Sequence, residues 1–154
     1  MASRRIHTLV WHCTATPEGK EFTRAQIVAM HKARGFKTIG YHMLIHLDGS
    51  TSPARPESEI GAHVAGHNLG TLGYSYIGGL DKKGKAKDTR TPAQKVTMSR
   101  VTKEAAAKYK LRAVVGHRDL SPDLDHDGLV EPHEWVKMCP CFNAVPEYAG
   151  LLKA

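Results

Sequence analysis

The stretch DLDHDGLVEPHEWVKMCPCF, Asp123 to Phe142, places two kinds of metal ligand side by side. It opens with carboxylates and closes with thiols. Carboxylate oxygens suit hard calcium, whereas cysteine sulfur suits zinc or softer ions, so one ion would not ordinarily use both halves. The first half fits the loop of an EF-hand position by position: Asp123, Asp125 and Asp127 alternate, Gly128 follows, Leu129 offers a backbone carbonyl, and Glu131 and Glu134 complete the set. That spacing wraps a single calcium ion, with the glycine permitting the sharp turn and the last glutamate supplying both oxygens. Val130 takes the usual apolar anchor position. An acidic surface loop is the plainer reading, but every specified slot is filled. With no second such loop to pair with, a structural calcium is expected rather than a sensor.

Softer chemistry is spread along the chain. VWHCTA, VVGHRD and KMCP carry His12, His117 and Cys139, and the two histidines fall at the ends of strand-like runs, where side chains can converge over one edge of a sheet. Two imidazoles and a thiolate would leave the fourth tetrahedral position of a zinc ion open to water, as in catalytic rather than structural sites. Spacing alone does not decide it, since an isolated histidine is more often a surface or satisfied core residue. Three cysteines argue against a disulfide framework and for thiol or metal chemistry in a reducing compartment.

These residues need a scaffold that alternates strands and helices. RIHTLVWHCTAT is rich in strand formers, which places His12 at the end of a first strand. In FTRAQIVAMHKARGF, Thr23 and Gln26 form a capping box, apolar residues recur at Ile27, Met30 and Ala33, and Gly35 ends the helix. TIGYHMLIHLDGST predicts a strand entering a turn at Asp48-Gly49, then a short return strand. A glycine-rich loop carrying His63 and His67 leads into a strand over LGYSYIGGL, followed by the solvated loop DKKGKAKDTR. Thr91-Pro92 opens a long helix reaching about Lys110, LRAVVGHRDL is a buried strand ending at Gly116-His117, and a short helix is expected over 145–152. The fold class expected is α/β: one domain over residues 1–154, its mixed sheet flanked by helices, with the calcium loop inserted at 123–134.

Composition bounds the function. At 154 residues, 41% hydrophobic and 24% charged, the chain is one ordinary soluble domain. No apolar run approaches the ~18 residues of a membrane span, so no membrane insertion is expected. The start, MASRRIHTLVWHCTA, lacks the continuous apolar segment of a secretory signal. A net charge of +7 favours a polyanionic partner. The basic residues are dispersed, with neither a recognition-helix pattern nor a run of stacking aromatics, so nucleic acid is not the expected one. A monomer is expected.

Read in order, VWHCTAT, IGYHMLIHLDG, EIGAHVAGHN, LGYSYIGG, TPAQ, VVGHRD and KMCPCF resemble the zinc-dependent N-acetylmuramoyl-L-alanine amidase type 2 family, especially its small phage endolysins. The resemblance runs from about Ile6 to Phe142. It implies a fold shared with the peptidoglycan-recognition proteins, and zinc ligands His12, His117 and Cys139. A zinc ion so held lowers the pKa of a bound water to about 7 and polarises the scissile carbonyl. The family pattern also carries Tyr41 and Lys137 into the stabilisation of the oxyanion, and His63 into substrate or transition-state contact. Cys141 falls where the family often has Ser or Gly, which makes it a bystander. Cys13 should face away from His12, because side chains alternate along a strand.

Two departures stand out. One branch of the family has a glutamate base where Ile77 or a neighbour stands here, which favours the tyrosine and lysine branch. The stretch between His117 and Cys139 is also longer than in the shortest phage members, and the extra length is the calcium loop. The resemblance implies cleavage of the amide between N-acetylmuramic acid and L-alanine in peptidoglycan. The setting expected is host lysis by a phage or prophage enzyme, held in the host cytoplasm until a holin-like pore releases it. Two other readings are a noncatalytic peptidoglycan-binding module, and a cytosolic amidase that recycles muropeptides.

Overall fold

The computed structural model describes residues 4–121, 126, 130 and 138–152. In chain order these form β1 (Thr8–Cys13), β2 (Thr16–Pro17), α1 (Arg24–Ala33), β3 (Met43–Ile45), β4 (Thr51–Pro53), β5 (Thr71–Tyr76), β6 (Gly79–Leu80), α2 (Pro92–Tyr109), β7 (Ala113–Gly116) and α3 (Ala144–Tyr148). Single 3₁₀ turns follow β7 and α3, at His117–Leu120 and Ala149–Leu152.

The main sheet has the order β4-β3-β5-β1-β7. Strands β3, β5, β1 and β7 are parallel, and β4 returns antiparallel along one edge. β2 and β6 pair in a small separate sheet. The central strands β1 and β5 are buried almost throughout, as strands covered on both faces must be. On one face Leu9, Trp11, Leu72 and Tyr74 pack with Met98 and Val101 of α2 and with Tyr148 of α3. On the other, Tyr41, Leu44 and Ile77 meet Ile27 of α1. This is the mixed sheet flanked by helices that the sequence predicts.

Both long helices begin as expected. Thr23 with Gln26, and Thr91 with Gln94, form reciprocal capping boxes, and Pro92 occupies the first turn of α2. Gln94 does more than cap. Its buried amide donates to the carbonyls of Ile45 and Ile77, tying the helix start to the ends of β3 and β5.

Two elements are shorter than expected. The strand over TIGYHMLIHLDGST is confined to Met43–Ile45, and three residues before it the Gly40 N–H is taken by the His31 side chain rather than by a neighbouring strand. The final helix is α-helical only over Ala144–Tyr148 and tightens into a 3₁₀ turn that contains Gly150. Such tightening of a last turn is a common way for a helix to satisfy its orphan carbonyls.

Candidate metal centre

Because β1, β5 and β7 run parallel, their carboxyl ends share one edge of the sheet, where ligand crevices form in α/β folds. His12 is the next-to-last residue of β1, and alternation turns its ring away from the Trp11 face toward α1. His117 begins the turn directly after β7. Cys139 arrives from the far end of the chain.

Several bonds hold Cys139 there. The Cys13 N–H donates to its Sγ at 3.2 Å, the Arg118 N–H donates to its carbonyl at 2.8 Å, and the Tyr76 hydroxyl donates to the Pro140 carbonyl at 2.6 Å. Gly116 permits the approach, since a Cβ there would stand 2.6 Å from Pro140 Cδ.

The ligand atoms of His12, His117 and Cys139 all lie within 4.8 Å of one another, and no other group of this kind occurs among the described residues. Cys139 Sγ stands 3.9 Å from His12 Nδ1. Zinc ligands at about 2.0 Å for nitrogen and 2.3 Å for sulfur, at a tetrahedral angle, would be roughly 3.6 Å apart. Both the donor set and its spacing fit zinc. Three protein ligands would leave a fourth position open, and all three residues line a cavity.

That cavity has a volume of about 740 Å³, with His12, His117 and Cys139 in its lining beside Tyr41, His63 and Asn68. The Tyr41 hydroxyl donates to the Cys13 carbonyl at 3.3 Å, and its ring lies 5.2 Å from that of His12. Burial first, then the nearby Cys139 and Cys13 thiols, hold the phenol well above its ordinary pKa. Tyr41 therefore stays a protonated donor at neutral pH. His63 packs edge-on against His12, with Nδ1 2.8 Å from His12 Nε2. Burial, aided by His42 and His117, pulls its pKa down to about 3, so the ring is neutral.

The remaining cysteines behave as sulfur spectators. Cys13 belongs to the core cluster on the opposite face from His12, as alternation requires. Cys141 Sγ donates to the Gly79 carbonyl at 3.4 Å. Its thiol is held well above its ordinary pKa, first by a hydrogen bond with Cys13 and then by burial. High-pKa thiols of this kind are poor nucleophiles and poor ligands.

Lys137 lies outside the described residues, as do Asp123, Asp125, Asp127, Leu129, Glu131 and Glu134 of the expected calcium loop. The structure thus brings together His12, His117, Cys139, Tyr41 and His63. Sequence reasoning missed Asn68, whose Oδ1 accepts the N–H groups of both His63 and Val64. It also missed His31, which lines the cavity with Nδ1 accepting from the Gly40 N–H. A signal for His31 was present, because it sits four positions after Ile27 on the buried side of α1.

Comparison with known proteins gives a consistent result. Residues 2–133 match the family model described as N-acetylmuramoyl-L-alanine amidase. An uncharacterized protein of Haemophilus influenzae is 43% identical over 97 residues, covering 63% of this chain and 84% of its own. The endolysin of Enterobacteria phage T3 is 31% identical over 132 residues, covering 86% and 78%. Among solved structures, the N-acetylmuramoyl-L-alanine amidase LysC from Clostridium intestinale superimposes with a TM-score of 0.72 at 25% identity, covering 96% of this chain and 86% of that one. The chain belongs to the N-acetylmuramoyl-L-alanine amidase family.

Proposed function

We propose that this amidase uses a zinc ion held by His12, His117 and Cys139 to hydrolyse the amide between N-acetylmuramic acid and L-alanine in peptidoglycan, and that it serves phage or prophage lysis of the host. The observation that carries the reading is the convergence of two imidazoles and a thiol within 4.8 Å in the wall of a cavity. When bound there, zinc supplies Lewis acidity toward the scissile carbonyl and lowers the pKa of a water molecule.

The chain's own residues do the rest. Tyr41 offers a neutral O–H on the cavity wall, placed to donate to the oxygen that becomes negative as the carbonyl turns tetrahedral. Its bond to the Cys13 carbonyl is long at 3.3 Å, so little is lost when it turns to substrate. Lys137 is assigned the second donor on the family pattern, from its place two residues before Cys139. Either group can pass a proton to the leaving amine. Anchoring of the Cys139 segment by Arg118 and Tyr76 keeps the thiolate in register with the two histidines.

The phage T3 endolysin supports a role in lysis, and no helix among the described residues is long and apolar enough to cross a membrane. Release through a holin-like pore would bring the enzyme to the wall, where its net charge of +7 favours an anionic envelope. A binding module without catalysis would have no use for a three-ligand site with an open position.

The test is incubation of purified Gram-negative sacculi with the protein, with a Cys139→Ser control, followed by identification of new amino termini. New L-alanine amino termini that vanish in the control are expected. Binding without any new amino terminus in the presence of zinc would overturn the reading in favour of a recognition module.

A further inference from the structure

His63 is fixed on every side. Its N–H bonds to Asn68 Oδ1 at 2.9 Å, and its ring lies against Gly73 of β5, where a Cβ would stand 2.4 Å from His63 Cγ. Both ring nitrogens are engaged within the chain. Nδ1 meets His12 Nε2 at 2.8 Å, and Nε2 meets the Thr71 hydroxyl oxygen at 3.2 Å.

The direction of the protons along this line follows from its far end. Thr71 has one hydroxyl hydrogen, and its oxygen lies 2.7 Å from the His67 carbonyl and 3.1 Å from that of Asn68. A carbonyl can only accept, so that hydrogen is committed to a carbonyl. Thr71 Oγ1 must then accept from His63 Nε2–H. A neutral His63 protonated at Nε2 has its lone pair on Nδ1, which accepts from His12 Nε2–H. His12 consequently carries its own lone pair on Nδ1, the nitrogen 3.9 Å from Cys139 Sγ.

We infer that Thr71 and His63 form a positioning relay that locks His12 in the tautomer able to bind zinc through Nδ1. Metal-ligating histidines are commonly fixed by a partner on their other nitrogen, most often a carboxylate, backbone carbonyl or water. A second histidine does the same work here without adding negative charge to the centre, and its orientation depends on a threonine outside the ligand set. On this inference His63 acts through His12, in place of the substrate contact that the family resemblance implies. The inference rests on the zinc reading above.

The experiment compares the full chain with His63→Ala, Thr71→Val and Thr71→Ser. Zinc affinity is measured by competition with a chromogenic chelator, and the His12 tautomer by ¹⁵N NMR of the metal-free proteins. Loss of the second partner typically weakens metal binding by roughly 10- to 100-fold, so His63→Ala and Thr71→Val should bind zinc that much more weakly. Thr71→Ser, which keeps the hydroxyl, should bind like the parent. Thr71→Val should also move the His12 proton from Nε2 toward Nδ1, a change that loosened packing alone would not produce. Unchanged affinity and tautomer in both weakened variants would overturn the relay and leave the zinc site standing. If the parent chain itself bound no zinc, the metal reading would fail and the relay's purpose with it.

Discussion

The Arg90 guanidinium carbon lies 3.5 Å from the centroid of the Phe142 ring, just beyond Cys139 in sequence. The same guanidinium bonds to both carboxylate oxygens of Glu147, at 2.6 and 3.0 Å, and to both of Asp88, at 2.9 Å. One side chain thus ties the loop before α2 to the segment that delivers the thiol. The Arg90 side chain is 3% exposed while its carboxylate partners are 33% and 37% exposed, so truncation strands two partly solvated charges rather than fully buried ones. Arg90→Ala should cost about 2 kcal/mol, chiefly from the lost cation–π stack. That is a fall of roughly 5 °C in melting temperature for a chain of this size. Calorimetry with saturating zinc checks it, and a loss of zinc occupancy at limiting zinc should accompany it.

The same cluster makes stability depend on pH. Burial alone would raise the Asp88 pKa, but the hydrogen bond and charge of Arg90 outweigh it and hold the carboxyl below its ordinary value. A carboxylate whose folded pKa is depressed stabilises the fold above its unfolded pKa of about 3.9, and that contribution disappears as pH falls through the lower folded value. The melting-temperature difference between the parent and Arg90→Ala should therefore be constant from pH 7 to about 5 and shrink below about 4. A difference that stays flat down to pH 2.5 would remove Asp88 from the account.

Cys139 and Cys141 flank one proline, yet only Cys139 faces His12. Cys141→Ser should keep zinc content and amidase rate near the parent values, since a hydroxyl can still donate to the Gly79 carbonyl. Cys139→Ser should lose both. Zinc analysis and turnover on sacculi separate the two, and equal losses would mean that the metal uses the second sulfur.

Much of this was legible in the sequence. Thr23 with Gln26 and Thr91-Pro92 mark the helix starts through purely local chemistry, and the alternation Trp11-His12-Cys13 assigns the faces of β1. The placement of His12 and His117 at strand ends made them candidates, and the family resemblance singled out the set with Cys139. What could not be read is long-range. Thr71 looks like an ordinary strand opener, and only the fold brings its hydroxyl beneath His63. Arg90 sits in a solvated-looking stretch, KAKDTR, but its partner Glu147 comes from the far end of the chain. The partner of the Gly40 N–H was equally hidden, because it is a side chain on α1.

Tyr41 gives the sharpest test of catalysis apart from metal binding. On the proposed mechanism its hydroxyl meets the developing charge, while its ring packs beside that of His12 independently of the hydroxyl. Tyr41→Phe should lower kcat by about 10²- to 10³-fold, the usual cost of removing one such donor. Zinc content and melting temperature should hold. An unchanged kcat would reduce Tyr41 to a packing residue.

The proposal that residues 123–134 hold calcium is tested through their neighbour Cys139. Asp123, Asp125, Asp127, Glu131 and Glu134 span residues 123–134, which end five residues before Cys139, so on this proposal a bound ion would constrain the chain leading into the Cys139 segment. Folding and binding are linked whenever a ligand prefers the folded chain, so calcium should raise the melting temperature of the parent protein. Asp125→Ala removes one of the alternating oxygens and should abolish that rise. Its zinc should also be lost more readily to a chelator in calcium buffer. Calcium and chelated conditions are compared for both chains by calorimetry and zinc analysis. If zinc content and melting temperature are the same in Asp125→Ala as in the parent with calcium present, the acidic spacing is a surface feature with no ion to hold.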